Sequence, residues 1–148
     1  MNKLKLLLLT ISLVAVTGAV NAGGVGYIDY LKVIDNYDYA QKATKEVDAK
    51  GLEMQQYLVD KEKEYKALDT PLKKQSFEQR TAQEFKAKEE AYMNLKNKRE
   101  QEVYNKIREA AKAVMVEQKL DAIMDARGVF VGGIDITDNV ISKLKSMK

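Results

Sequence analysis

Asp69-Thr70-Pro71 interrupts a helical pattern that otherwise runs through most of the chain, and the predicted architecture follows from this interruption. The residue before a proline is pushed out of helical geometry, so Thr70 is expected to end a first helix. Pro71 then occupies an early position of a second helix, with Thr70 or Asp69 as its cap. The pattern therefore predicts a turn near residues 69–72.

The residues before this break predict a first long helix that begins near Leu31. Apolar and small residues recur there at steps of three, four and seven positions, which places them on one face of a helix. The resulting stripe is thin, because Lys, Glu, Asp and Gln fill the remaining faces. Its members are Val33, Ile34, Tyr37, Ala40, Ala43, Val47, Met54, Leu58, Tyr65 and Leu68.

The residues after the break predict a second helix that ends near Leu120. Phe85 and Val103 are 18 positions apart, which is about five helical turns and keeps them on the same face. Two long helices with one narrow apolar seam each predict an antiparallel hairpin. A single long helix kinked at Pro71 is the alternative. The second stripe comprises Phe77, Phe85, Tyr92, Leu95, Val103, Ile107, Ala110, Val114 and Met115.

Strand-like segments flank the charged helical middle. Residues 25–30 alternate and contain β-branched and aromatic side chains, which predicts one strand. Residues 122–126 predict a second strand, Arg127-Gly128 a turn, and residues 129–131 a third strand. Helices that return to their origin would bring these segments together in a small sheet of about three strands.

A short closing helix is predicted over residues 139–147, with Asp135 or Thr137 as its cap. The predicted fold class is mostly α with a small β body: a long helical hairpin projects from an oligomerising sheet, and a short helix ends the chain. The predicted divisions are a signal peptide at 1–22 and a single domain at 23–148, in which 23–36 and 121–148 form the body and 37–120 the hairpin.

The first 22 residues have the pattern of a secretory signal peptide. Lys3 and Lys5 precede a short apolar run over residues 6–16, and Val20-Asn21-Ala22 forms a small-residue cleavage site. The run is much shorter than the roughly 20 residues that span a bilayer. We therefore expect cleavage after Ala22 and a soluble, exported protein; an uncleaved N-terminal anchor is the alternative.

Composition narrows the classes of function. The chain has no Cys, His or Trp, so the usual nucleophiles, proton shuttles and transition-metal ligands are missing. Of 25 basic residues, Lys3 and Lys5 lie in the signal peptide, which leaves 23 against 22 acidic residues, a net charge of +1. A nearly neutral exported chain argues against nucleic-acid binding. We expect no enzyme activity, no cofactor and no metal.

The two ends of the exported chain resemble the Skp (OmpH-like) periplasmic chaperones. The similarity spans the whole chain, but the charged middle carries little of it. The residues that carry it are Val25-Gly26-Tyr27-Ile28-Asp29, Leu31-Lys32-Val33-Ile34, Asp121-Ala122-Ile123-Met124-Asp125, Gly128-Val129-Phe130-Val131, Asp135-Ile136-Thr137-Asp138, Val140-Ile141 and Leu144. The resemblance implies a trimer whose helical arms enclose a cavity. It also implies an ATP-independent holdase that keeps unfolded outer-membrane proteins soluble.

The residues suggest how such a protein would assemble and hold its clients. The terminal sheet is too small to bury a self-sufficient core, so we expect Ile28, Ile123, Val129 and Val131 to need partners in a homo-oligomer. Met adapts its shape and Tyr has an apolar body with a polar end, which suits weak client contacts. The candidate client-binding residues are Met54, Tyr57, Tyr65, Tyr92 and Met93, each with core packing as the competing interpretation.

The remaining candidates have simpler interpretations. Phe77 and Phe85 are expected to lock the two helices together. Lys73, Lys74 and Arg80 at the predicted turn are mixed with acidic residues, which predicts no more than weak contact with envelope lipids. Turn and cap chemistry explains the carboxylates at Asp121, Asp125, Asp135 and Asp138. The competing functions are a structural coiled-coil adaptor or spacer of the envelope and, more distantly, a carboxylate enzyme.

Overall fold

The computed structural model describes residues 23–147, so the predicted signal peptide lies outside the described residues. The fold is mostly helical with a small β body, which confirms the predicted class. In chain order the elements are β1 (Val25–Ile28), α1 (Tyr30–Asp35), α2 (Asp38–Lys66), α3 (Pro71–Glu117), β2 (Ala122–Asp125), a 3₁₀ turn (Ala126–Gly128), β3 (Ile134–Asp135) and α4 (Thr137–Ser146).

Helices α2 and α3 form the predicted antiparallel hairpin. At a rise of about 1.5 Å per residue they are roughly 43 and 70 Å long. Thr70 is the N-cap of α3, and its hydroxyl accepts a hydrogen bond from the backbone N–H of Lys73 at 3.3 Å. Tyr57 bonds to Glu84 on the opposite helix and Tyr39 bonds to Glu102, so the helices run side by side in opposite directions. A single kinked helix is therefore wrong.

The sheet has three strands in the order β2-β1-β3, and both outer strands run parallel to β1. Val25 is in register with Ala122, and Gly26 is in register with Ile134. Parallel neighbours need a long crossover connection, and here the whole helical hairpin is the crossover from β1 to β2. The predicted meeting of residues 25–30 with the C-terminal segment is confirmed.

The predicted third strand at residues 129–131 is wrong. The Asp125 carboxylate accepts hydrogen bonds from both the backbone N–H and the guanidinium of Arg127 at 2.9 Å, and this closes a 3₁₀ turn that directs the chain away from β2. The third strand forms instead at Ile134–Asp135, on the free edge of β1.

Three predicted boundaries also differ. Strand β1 ends at Ile28, because Asp29 caps α1 by accepting from the N–H of Lys32 at 3.0 Å. The first helix is broken at residues 36–37, where the Asn36 amide donates to the Lys32 carbonyl at 2.9 Å and competes with helical bonding. Helix α4 begins at Thr137, two residues before the predicted start.

The hydrophobic core lies where the base of the hairpin meets the sheet and α4. Ile136, Val33 and Val140 are fully buried there. The residues of α2 and α3 that join this core are Ala40, Ala43, Val103, Ile107, Ala110, Ala111 and Val114. The core thus includes the lower turns of the hairpin, and the rest of the hairpin projects beyond it.

Candidate functional site

Tyr57 joins the two helices of the hairpin. Its hydroxyl donates to Glu84 Oε2 at 2.8 Å, and the ammonium groups of Lys61 and Lys88 lie 5.6 and 4.9 Å from the centre of its ring. Burial, together with the hydrogen bond to the Glu84 carboxylate, raises the pKa of Tyr57 to about 12. The Tyr57 side chain is therefore engaged between α2 and α3.

Three other candidate client-binding residues are half-buried as well. Tyr65 packs against Phe77 with ring centroids 6.1 Å apart, and Phe77 is buried. Tyr92 lies over Gly51, where a Cβ would come 3.7 Å from Tyr92 Cε2. Met54 is half-buried. Of the five candidates only Met93 is exposed, so packing between the helices engages much of this set.

Other large apolar side chains on the hairpin face solvent. We call these the outer apolar residues: Leu52, Leu58, Val59, Leu72 and Met93. Leu58 was expected in the seam of the first helix but is 46% exposed, and Leu72 is 76% exposed. The sequence analysis did not identify Leu52, Val59 and Leu72 as candidates. They lie outside the predicted apolar stripe, which could have indicated that they face solvent.

A groove of about 830 Å³ opens beside the base of the hairpin. Its lining includes the side chains of Tyr30, Ile34, Val47, Tyr92 and Tyr104. Tyr30 and Tyr104 also line a second groove of about 390 Å³ that reaches β2. The two grooves together form a strip from the sheet to the hairpin. Apolar atoms contribute most of its surface, and the charged side chains of Asp48, Lys96, Arg99 and Glu100 line it as well.

A cluster of charged and polar groups clamps the hairpin above its base. The Arg99 guanidinium binds Glu46 across the helices at 2.8 and 3.0 Å, and binds Glu102 at 2.7 Å. The Tyr39 hydroxyl donates to the same Glu102 carboxylate at 2.9 Å. These bonds from Arg99 and Tyr39 hold the pKa of Glu102 below its usual value. The clamp fixes the register of α2 against α3.

The predicted oligomerisation residues have different surroundings within one chain. Ile28 is buried in the core and Ile123 packs partly against it. Val129 is half-buried, whereas Val131 is 86% exposed and the neighbouring Phe130 is fully exposed. The segment after the 3₁₀ turn therefore presents the most accessible apolar side chains of the body.

Three of the four candidate carboxylates of the body have local partners of their own. Asp125 is paired with Arg127, whose hydrogen bonds lower the pKa of Asp125 to about 2. Asp135 accepts from the N–H and hydroxyl of Thr137, and Asp138 pairs with Lys32 at 2.8 Å. Among residues 23–147 there is no cluster of three or more side chains suited to hold a metal ion. Asp125 fits the predicted turn chemistry, but the predicted cap of the closing helix is wrong, because α4 begins at Thr137 with Ile136 as its N-cap and no side-chain cap.

The basic residues at the hairpin turn are engaged locally. Lys73 pairs with Asp69 at 2.9 Å, Lys74 lies 5.3 Å from the centre of the Tyr65 ring, and Arg80 lies 5.7 Å from that of Phe77. In the part of the chain that the structure describes, no helix has the length and apolar character of a membrane span.

Comparisons with known proteins place this arrangement in a family. The family model for outer membrane proteins of the OmpH-like type matches residues 24–144. The fold search matched a crystal structure of a Caulobacter crescentus CB15 protein that carries an OmpH-like outer membrane chaperone assignment, at 16% identity and a TM-score of 0.42, over 85% of this chain and 86% of that one. No curated protein matches the chain. Because the family model spans both the sheet and the hairpin, this chain belongs to the OmpH-like family.

Proposed function

We propose that this protein is an exported, ATP-independent holdase that keeps unfolded outer-membrane proteins soluble in the periplasm. The main support is the surface of the hairpin, where large apolar side chains are exposed to solvent among charged ones. Exposed apolar side chains bind unfolded segments, and the surrounding charge keeps the hairpin itself soluble. The family match and the chaperone assignment of the Caulobacter protein support this proposal.

The outer apolar residues suit weak and nonselective binding. They lie at separate positions along the hairpin and do not form one deep pocket, so each is expected to contribute only part of the burial of a bound segment. Many small contributions allow release without an energy source, because no single contact dominates the dissociation rate. Tyr57 and Tyr65 then act by holding α2 against α3, and Met93 contacts the client directly.

Clients are expected to lie along the strip at the base of the hairpin as well. Tyr92 and Tyr104 line this strip on α3, and Tyr30 lines it on α1. Tyr suits such a surface because its ring covers apolar groups while its hydroxyl remains hydrated. The proposed activity consists of binding alone. It needs no nucleotide hydrolysis, no catalytic step, no cofactor and no metal.

Client enclosure requires more than one chain, and we assign the assembly to the body. Phe130 and Val131 are exposed, and within residues 23–147 each outer strand of the sheet has an unpaired edge. A symmetric partner would cover both features. Ile123 and Val129 flank this surface, and Ile28 supports it from the core. The resemblance implies three copies. Cleavage after Ala22 would release the chain into the periplasm, where it would assemble.

An aggregation assay tests the holdase proposal. The protein is expected to suppress precipitation of several unrelated unfolded β-barrel proteins near stoichiometric amounts. The combined change Leu52→Ser, Leu72→Ser and Met93→Ser should lower suppression severalfold and leave helicity unchanged, because these side chains are exposed. The matched control is Gln55→Ser, Gln75→Ser and Asn94→Ser, which changes exposed, uncharged side chains in the same regions and retains the outer apolar residues.

The outcome also separates the competing functions. Equal suppression by the apolar variant and by the parent would contradict the assignment of clients to the outer apolar residues. Failure to suppress any precipitation, together with binding of one folded envelope protein, would favour the coiled-coil adaptor. Sedimentation of Val131→Asp should show a smaller assembly than the parent, since a charge would enter an apolar interface.

A further inference from the structure

The first residue after the predicted cleavage site lies against an acidic side chain that precedes β2. A Cβ built on Gly23 would overlap the Asp121 carboxylate, at 2.6 Å from Cγ, and would lie 2.8 Å from the carbonyl oxygen of Lys119. A backbone nitrogen is about 2.5 Å from the Cβ position of its own residue, so the Gly23 nitrogen lies within about 5 Å of the Asp121 carboxyl carbon.

The surrounding backbone fixes this approach. The N–H of Asp121 donates to the carbonyl of Gly24 at 3.0 Å, and the next residues continue as the β1–β2 pairing. Lys119 has a φ of 54°, in the left-handed region that non-glycine residues adopt uncommonly. Leu120, between Lys119 and Asp121, is buried. The hydrogen bond to Gly24 and the pairing of β1 with β2 therefore hold Gly23 close to Asp121.

We propose that removal of the signal peptide creates the ionic partner of Asp121. Hydrolysis of the Ala22–Gly23 peptide bond adds the hydroxyl of water to the Ala22 carbonyl carbon and transfers a proton to the Gly23 nitrogen. The released peptide ends in a carboxylate, and the protein begins with an ammonium group at neutral pH. That ammonium donates to the Asp121 carboxylate and to the carbonyl oxygen of Lys119.

The precursor lacks this interaction, because its Gly23 nitrogen is a neutral amide with a single hydrogen. Within residues 23–147 the Asp121 carboxylate takes part in none of the ion pairs or side-chain hydrogen bonds. Processing therefore adds a charge-assisted bond between the start of β1 and the start of β2, across the base of the hairpin. The processed chain is more stable than the precursor, which remains easier to unfold during export.

This inference depends on the cleavage after Ala22 but is independent of client holding. The test compares a chain that begins at Gly23 with one that begins at Val20, each produced by cleavage of a fusion that leaves that residue first. The three added residues turn the Gly23 nitrogen into a neutral amide, and the terminal ammonium then belongs to Val20. Thermal unfolding at low salt and fixed chain concentration should give the Gly23 chain a melting temperature about 2–5 °C higher.

Asp121→Asn should abolish the difference between the two chains, and the difference should shrink in concentrated salt. Asp48→Asn, on an exposed residue of α2, is the matched control and should leave the difference intact. Equal melting temperatures for the two parent chains, or a difference that persists in Asp121→Asn, would overturn the proposal.

A chemical measurement decides the question if Asp121→Asn does not fold. An ammonium held by a carboxylate loses its proton less readily, so an amine-selective acylating reagent should modify Gly23 more slowly than Val20. Each rate is divided by the rate for the same chain in concentrated urea, and modification is read from the mass of the N-terminal peptide. We expect protection of about three- to tenfold for the Gly23 chain. Equal protection in both chains would refute the pairing.

Discussion

The body and the distal hairpin share two helices but are stabilised in different ways. The body buries a continuous set of aliphatic side chains from β1 and from all four helices. Between residues 44 and 102, by contrast, Phe77 is the only buried residue. Polar contacts across the helices, such as Tyr57–Glu84 and Arg99–Glu46, replace a core there.

This difference shows how a chain can expose apolar surface without collapsing. A region held by burial cannot also present the same side chains to a partner. The hairpin is held by cross-helix hydrogen bonds and by ion pairs within each helix, so its outer apolar residues are not needed for its own packing.

Leucine truncation should give the largest contrast. Leu144→Ala removes a side chain that is 2% exposed in the core, and it should lower the free energy of unfolding by about 2–5 kcal/mol. Leu72→Ala, on the hairpin, should change it by no more than about 0.5 kcal/mol. Urea unfolding at a fixed chain concentration measures both. Similar losses for the two variants would mean that the hairpin is packed as tightly as the body.

Two adjacent glycines of the body should respond unequally to alanine. Gly132 and Gly133 both have positive φ angles, of 83° and 88°. A Cβ on Gly132 would have no neighbour within 4 Å, so Gly132→Ala should cost only the backbone strain, about 1 kcal/mol. A Cβ on Gly133 would lie 3.1 Å from Tyr27 Cδ1 and 3.2 Å from the Val25 carbonyl oxygen.

Gly133→Ala should therefore cost about 2–3 kcal/mol, because strain and close contact add. The measurement is again equilibrium unfolding, with Gly132→Ala as the matched control. A smaller loss for Gly133→Ala than for Gly132→Ala would show that the loop before β3 moves away freely from Tyr27.

The glycine of the hairpin should respond in the opposite direction. Gly51 lies inside α2, where glycine is less favourable than alanine because of its greater backbone freedom. A Cβ there would meet Tyr92 Cε2 at 3.7 Å, an ordinary van der Waals contact. Gly51→Ala should therefore raise the free energy of unfolding by about 0.5–1 kcal/mol. A loss of stability would indicate that the hairpin is tightly packed at Tyr92.

The smallest expected effect is a loss of hairpin stability at alkaline pH, when Tyr57 ionises. The pKa of this hydroxyl rises from 10.0 to about 12 in the folded chain, so the neutral form stabilises the hairpin below pH 10. That contribution is lost as the pH rises through about 12, because the unfolded chain ionises first. Tyr57→Phe should remove the last component of the tyrosinate absorbance titration. An unchanged titration would place Tyr57 away from Glu84.

Sequence patterns predicted the helical hairpin well because the signals are local. Pro71 and Thr70 mark the turn through their own backbone preferences, and the structure confirms both. Helical spacing predicted the seam at Phe77 and Val103, which are buried. The same spacing wrongly predicted that Leu58 is buried. The helical repeat does not match the spacing of the stripe perfectly, so the seam rotates slightly along a long helix and a residue of the stripe can turn toward solvent.

The candidate site could be predicted only in part. Side-chain chemistry pointed to Tyr57 and Tyr65, but it could not show that Glu84 and Phe77 occupy them from the opposite helix. The third strand was misplaced for a similar reason. Residues 129–131 have the β-branched and aromatic side chains that favour a strand. However, Asp125 and Arg127 close a turn that takes this segment out of the sheet.

The amino-acid sequence alone established the helices, their break at Thr70-Pro71 and the strand-forming character of the two ends. Each of these depends on bonds or steric preferences within a few residues. The folded chain set the parallel order of the strands and the choice between seam and solvent for each apolar residue of the hairpin. Those outcomes depend on partners far away in sequence, as when Val25 pairs with Ala122, and no local pattern encodes which distant edge or helix face will be available.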